Sequence, residues 1–254
     1  MSDAARTDAR VIGRAVHALD EVGSTQTEIA RLAAEGAPEG VVVTARHQRA
    51  GRGRLGRAWW DRAGESLLLS VLLRPAIVSS RAPQLSLVGG LAVVDAVAAE
   101  TGLAPGMRWP NDVMVGERKI CGVLAEAATG ADGRLDRVVL GIGLNVNQAE
   151  FPPEVAARAS SLRLLTGRVH DRDRLLAALL AALDARYREF LAEGESLRAA
   201  WRRHSVTLGA RVRAADGREG VAVDLDDTGA LLIRAEDGAL LRVASGEIAG
   251  APAA

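Results

Sequence analysis

The stretch ESLLLSVLLRP (65–75) constrains the fold more than any other. Its apolar residues occupy consecutive positions over a length that suits a strand. Successive side chains of a strand point to opposite faces, so both faces of this one have to be buried. A chain of 254 residues that is 48% hydrophobic has the apolar area for such a centre, with length left for a small second domain.

Around this centre the pattern predicts helices and further strands. Residues 1–10 read as a disordered tail. Thr25 and Glu28 have the spacing of a capping box, opening a helix that Gly36 and Pro38 close. A β-branched strand at 40–48 follows, then a helix over about 83–100 with Leu87, Leu91, Val94 and Ala98 on one face. Two strands flank a turn at Gly116-Glu117, a second turn falls at 131–133, and a further strand covers 136–147. Residues 154–203 read as helical. Asp171 or Asp173 caps a long helix there that buries Leu175, Leu176, Leu179, Leu183, Tyr187 and Phe190. After about 205 turn signals crowd together (216–217, 227–229, 237–238) between short apolar runs at 221–225, 231–233 and 240–243, the pattern of a small antiparallel barrel. The expected units are therefore 11–205 and 206–254.

Charge and cysteine content remove several classes of function. Thirty-two basic residues balance thirty-two acidic ones, so the chain as a whole has no field to hold nucleic acid or a membrane surface. The single cysteine, Cys121, excludes an internal disulfide or a multi-cysteine metal site and suits a reducing compartment. The amino terminus is polar, and no stretch reaches the roughly 18 apolar residues of a membrane span, so a soluble cytoplasmic protein is expected. The four histidines are scattered and no serine sits in a G-x-S-x-G turn, which leaves hydrolytic triads and zinc sites without support.

Three local patterns carry chemistry. In GRGRLGRAWW (51–60) glycines alternate with Arg52, Arg54 and Arg57. Backbone N–H groups and guanidinium groups could converge there on a phosphate or carboxylate, although an exposed solvated loop or a nucleic-acid patch has the same composition. The turn WPND (109–112) precedes Lys119 by seven residues. If the flanking strands pair, Asp112 and Lys119 meet at one sheet edge, as a structural ion pair or as a site for metal-bound phosphate. Lys119 is the only lysine, the other thirty-one basic residues being arginine. Either it survives by chance or the position requires a compact ammonium. In GIGLNVN (141–147) glycines inside a strand signal close approach, and Asn145 and Asn147 point to one face, where an amide could read a purine; a strand-end asparagine is the alternative.

In their order and spacing GSTQTE, HQRAGRGRLGRAW, RWPNDVMV, RKICGVL and GIGLNVN resemble the biotin protein ligases (biotin–acetyl-CoA-carboxylase ligases), over about residues 20–250. The resemblance implies an α+β fold with a mixed, largely antiparallel sheet and helices, and a C-terminal SH3-like barrel. It implies that ATP activates biotin to biotinyl-5′-AMP and that a lysine of a biotin carboxyl carrier protein then accepts the biotin. Lys119, Arg52 and Asp112 take the catalytic roles. Ser24, Thr25, Gln26, Gln48, Arg52, Gly53, Arg54 and Lys119 contact biotin; Arg54, Arg57, Trp59, Asp112 and Asn145 contact ATP or the adenylate. No cofactor is tightly bound; biotin and ATP are substrates, and Mg2+ is held mainly through phosphates with Asp112 at its side. Gln26 stands where the family usually has asparagine, and Arg108 where it usually has lysine. Lipoyl or octanoyl transfer, on the same catalytic fold, is the rival chemistry. Some relatives also bind DNA through an added winged helix. The twenty-three residues before Ser24 are too few for one, so no DNA partner, no membrane, and a monomer or homodimer are expected.

Overall fold

The strand at the centre, β3 (Ser66–Leu73), is buried at every position. In the computed structural model, which describes residues 10–130, 134–192, 196–246 and 248–250, it lies third in a seven-stranded sheet. The other strands are β1 (Val16–Val22), β2 (Val42–Gln48), β4 (Gly106–Arg108), β5 (Asp112–Val115), β6 (Arg118–Thr129) and β7 (Leu135–Asn145), in the order β1-β2-β3-β7-β6-β5-β4. Only β1 and β2 run parallel; every other neighbouring pair is antiparallel. The predicted tail, except Arg10, and the predicted turn at 131–133 lie outside the described residues.

Each face of β3 has its own cover. Leu67, Leu69, Val71 and Leu73 enter the main core with α2 (Gln84–Thr101) and α5 (Arg172–Leu191). Leu72 packs with Ile29 and Ala33 of α1 (Thr25–Ala34) in a second core on the opposite side. The two serines in the apolar run are not faults in it. Ser70 Oγ shares a 2.8 Å hydrogen bond with Thr25 Oγ1, and Ser66 Oγ accepts from Gln148 Nε2 at 2.6 Å. Both hydroxyls are therefore satisfied where water is excluded.

Several expectations need correction. The capping box at Thr25 does not form. Ser24 is the N-cap, without a side-chain cap bond, and the Thr25 hydroxyl is spent on Gln48 and Ser70. Glu28 pairs with Arg31 instead. On α2, Leu87, Leu91 and Val94 are buried as expected but Ala98 is exposed. Leu85, Val88, Ala92, Val93 and Val97 are buried as well, because the helix is enclosed on several sides rather than along one stripe. For the same reason Ser79–Thr101 is long and on average apolar enough to cross a membrane, although Arg81, Asp95 and Glu100 interrupt its apolar residues, and 72% of its most apolar window is buried in the fold. Residues 154–203 are not continuous helix. They divide into α3 (Pro153–Ala156), α4 (Leu162–Thr166), α5 and α6 (Ser196–His204). Gly167, at φ 73°, ends α4, and Asp171 caps α5 by accepting from the N–H groups of Asp173 and Arg174.

Beyond α6 come β8 (Arg211–Ala214), β9 (Glu219–Leu225), β10 (Leu231–Arg234), β11 (Leu240–Val243) and β12 (Ile248–Gly250). They form an antiparallel sheet in the order β11-β10-β9-β8-β12. Its apolar side, including Val212, Leu225, Leu231 and Ile233, joins the core that surrounds β3. The join is also polar. The backbone N–H of Trp109 donates to Thr207 Oγ1 at 2.9 Å and its indole N–H donates to the Gly229 carbonyl at 3.1 Å.

At the start of the described chain, buried Asp184 of α5 accepts from the N–H groups of Val11 (2.7 Å) and Ile12 (2.9 Å) and pairs with Arg188 at 2.8 Å. Replacing it by alanine leaves two N–H donors without their acceptor. Asp184→Ala should therefore lower unfolding stability by about 2–5 kcal/mol, read from the denaturant midpoint at unchanged m-value.

Candidate active site

β6 and β7 pair with Gly122 opposite Gly143. The Trp59 indole lies against this pair: a Cβ at Gly143 would come within 2.6 Å of Trp59 Cε2, and one at Gly122 within 3.0 Å of Cζ3. Two residues along β7, a Cβ at Gly141 would come within 3.0 Å of Gln26 Cδ. The glycines of GIGLNVN thus clear space for two side chains brought in from other parts of the chain. Gly141 also accommodates the longer side chain of Gln26, whose Nε2 donates to the Leu124 carbonyl at 3.1 Å.

Beside the indole is the lone lysine. Lys119 Nζ lies 5.7 Å from the Trp59 ring centroid and 2.6 Å from Asp112 Oδ1, with the two side chains 32% and 28% exposed. The β5–β6 hairpin brings acid and lysine together, and a register shift after Val113 sets Met114 opposite Lys119. The lysine backbone is fixed on both sides: its N–H donates to the Arg158 carbonyl and its carbonyl accepts from Ser160 N–H. Cys121, two residues on, is fully buried, and desolvation pushes its thiol far above the usual range despite the nearby lysine. Buried as it is, it presents no accessible nucleophile to the site.

The arginine stretch folds back on itself. Trp59 N–H donates to the Gly51 carbonyl, Arg52 bridges Ala58, and Gly53 N–H donates to the Arg57 carbonyl. A 3-10 turn at Arg54–Gly56 closes the tip, with Leu55 at φ 56° and 68% exposed. Arg52 pairs with Glu126 at 3.0 Å. Arg54 donates to Asn111 Oδ1 at 3.1 Å and to the Gly246 carbonyl at 3.2 Å, so it reaches both the WPND turn and the C-terminal sheet's side of the molecule. At the base of the hairpin Gln48 Oε1 accepts from Thr25 N–H (2.8 Å) and Oγ1 (3.1 Å), while Asp61 holds His47 Nδ1 at 2.7 Å.

One cavity of about 540 Å³ gathers the residues that the resemblance assigns to catalysis and to biotin or ATP contact. Ser24, Thr25, Gln26, Gln48, Arg52, Gly53, Arg54, Arg57, Trp59, Asp112, Lys119 and Asn145 all line it. Three of its buried polar atoms have no partner: Ser24 Oγ, Gln26 Oε1 and Trp59 Nε1. Each such atom costs about 1–3 kcal/mol unless a ligand satisfies it, so their concentration in one cavity marks a binding site for a neutral group with both donors and acceptors. Lys119 and the arginines beside them suit anions.

Asn145 lines the cavity and Asn147 does not. Asn145 Nδ2 donates to the Ser160 carbonyl and its Oδ1 accepts from Gln148, so its amide braces the segment that holds Lys119 instead of presenting a free edge. Asn147 lies beyond the strand end and exchanges two hydrogen bonds with the His170 backbone. Sequence reasoning missed Phe151, Val155, Arg158 and Ala159 of the far wall and Ile248, Ala249 and Gly250 of β12. No spacing connects them to the motifs. Ser70 was also missed, although a serine inside an apolar strand was a visible signal. Among the described residues no three histidine, cysteine or acidic side chains cluster as metal ligands. A magnesium ion here would find the Asp112 carboxylate, already shared with Lys119, and Glu117 in the lining, and would need phosphate oxygens to complete its shell.

Residues 20–145 match the model of the biotin/lipoate A/B protein ligase family, and residues 207–249 that of the biotin protein ligase C-terminal domain. A biotin–[acetyl-CoA-carboxylase] ligase of Mycobacterium tuberculosis is 41% identical over 229 residues, covering 87% of this chain and 83% of the relative. The bifunctional ligase/repressor BirA of Bacillus spizizenii is 35% identical, over 90% of this chain and 72% of its own. The solved biotin protein ligase of Aquifex aeolicus in complex with biotin and ATP superposes with a TM-score of 0.81 at 33% identity, covering 93% and 98% of the two chains.

The Gly143 contact can be tested optically. Gly143→Ala should expel the indole of Trp59 and shift tryptophan emission to the red with the far-UV spectrum unchanged. In a Trp59→Phe background the same substitution should leave the emission where it is.

Proposed function

We propose a mechanism from one premise: the chain belongs to the biotin protein ligase family. The enzyme activates biotin with ATP and transfers it to protein. The observation that carries the residue assignment is the set of unpartnered atoms in the cavity. Ser24 Oγ and Gln26 Oε1 can accept from the two N–H groups of the ureido ring, and with Thr25 and Gln48 they form the head-group end of the site. Gln26 and Trp59 sit over glycines two residues apart on β7, about 7 Å along the strand, and Lys119 stands beside Trp59. A ligand lying along this row places its neutral ring at Gln26 and its carboxylate at the ammonium.

In the first step a carboxylate oxygen of biotin attacks the α-phosphorus of ATP. An O–P bond forms and pyrophosphate leaves with the electron pair of the bond that breaks. Both reactants are anions, and Lys119 neutralises the pair where charge develops. Its partner Asp112 would be the carboxylate to hold a magnesium ion bound with ATP, which would supply charge neutralisation at the phosphates. Arg52, Gly53, Arg54 and Arg57 close over the adenylate and keep water from the mixed anhydride. Asn145 acts on the nucleotide side through the wall it braces. In the second step a lysine of a biotin carboxyl carrier protein takes the biotin and releases AMP. We assign catalysis to 11–205 and a closing role to 206–254, since β12 lines the cavity. The single buried cysteine suits a reducing compartment, and we place the reaction in the cytoplasm.

The test is pyrophosphate exchange into ATP without carrier protein. It should require biotin and magnesium; exchange driven by lipoate and not by biotin overturns the assignment. Lys119→Arg keeps the charge and can keep the pairing with Asp112, but a planar fork cannot occupy the position of a compact ammonium. Exchange should fall about 10²- to 10³-fold with the melting temperature almost unchanged. A near-normal rate would remove Lys119 from the chemistry.

A further inference from the structure

We propose that a second groove, between the arginine hairpin and β6, is the port by which the acceptor lysine reaches the adenylate, and that Glu126 docks its ammonium on the way. The proposal rests on the reaction above. The groove has a volume of about 360 Å³, with residues 52–57 on one wall and Leu124 and Glu126 of β6 on the other. Arg52, Gly53, Arg54, Arg57 and Leu124 also line the large cavity, so the two spaces share a boundary.

Charge identifies the visitor. Biotin and ATP are anions and suit arginines. The acceptor lysine is the one cationic reactant, since its amine is protonated at neutral pH. Three arginines in the groove wall repel it, and Glu126 is the only carboxylate among the described residues of that wall. Glu126 Oε2 lies 3.0 Å from Arg52 Nη2, with the side chains 42% and 47% exposed. An ion pair so open to solvent is weak, and an arriving ammonium can take the place of Arg52. Gly122, Leu124 and Glu126 occupy alternate positions of one strand and so share a face. Gly122 lies beneath Trp59, and the Leu124 carbonyl holds Gln26. Glu126 is therefore the outer member of the row, about 13 Å from the glycine under the indole. At that distance it guides the lysine and does not act as the base. In the transfer the deprotonated amine attacks the carbonyl carbon of the anhydride. A C–N bond forms, the C–O bond to phosphate breaks, AMP leaves with the electron pair, and two protons pass to solvent.

The experiment separates the two half-reactions in the full chain with Glu126→Gln. Biotin-dependent pyrophosphate exchange should persist, while KM for a biotin carboxyl carrier protein rises roughly tenfold and loses its dependence on salt. Hydroxylamine, a neutral nucleophile near pH 7, should trap the adenylate equally fast in both proteins. Glu126→Asp should recover part of the loss. A normal KM for the carrier in Glu126→Gln, or an equal loss with hydroxylamine, overturns the port. If the unaltered protein shows no biotin-dependent exchange, the reaction assignment itself fails and not the port alone.

Discussion

Burial of both faces of β3 sets the arrangement of everything around it. A strand apolar on consecutive positions needs a layer on each side, and the chain supplies α2 with α5 on one and α1 on the other. Covering the second face brings the start of α1, Ser24 to Gln26, down onto the sheet. Those three polar residues are then buried at the cavity wall, where Ser70 and Gln48 satisfy Thr25 but nothing satisfies Ser24 Oγ or Gln26 Oε1. The helix that shields the core is thus also the element that delivers unsatisfied polar groups to the site.

Ion pairs and hydrogen bonds organise the rest of the cavity. Two of the cations facing it are held in defined positions, Lys119 by Asp112 and Arg54 by Asn111 and the Gly246 carbonyl. These partners are at least partly solvated, so the contacts fix orientation more than they add stability. They can be exchanged for ligand oxygens at small net cost, which suits a site that must admit and release two anions in each cycle.

Much of this was legible in the sequence, and the losses have physical causes. The consecutive apolar residues of 66–73 marked the central strand, and the WPND turn with its seven-residue interval brought Asp112 and Lys119 together as the pairing rules predict. The capping box failed because a local pattern cannot show that Gln48 and Ser70 compete for the Thr25 hydroxyl. Ala98 was misplaced because a one-sided stripe was assumed for a helix enclosed on several sides. The glycines at 141 and 143 did signal close approach, but nothing local named Gln26 and Trp59 as what approaches. Asn145 showed its chemistry in the sequence and concealed its partners, Ser160 and Gln148, which only the folded chain assembles.

The contact of Asp184 with Val11 and Ile12 spans 173 and 172 residues. On a ribosome adding about 5–20 residues per second, the first strand waits roughly ten to thirty-five seconds before the carboxylate that secures its approach has even been made. During that interval β1, an edge strand, and β2, its parallel neighbour, are exposed without their latch. Synthesis speed through α5 therefore sets how long the nascent chain carries an open sheet edge, and slow codons in that helix would lengthen its exposure to chaperones and to other nascent chains.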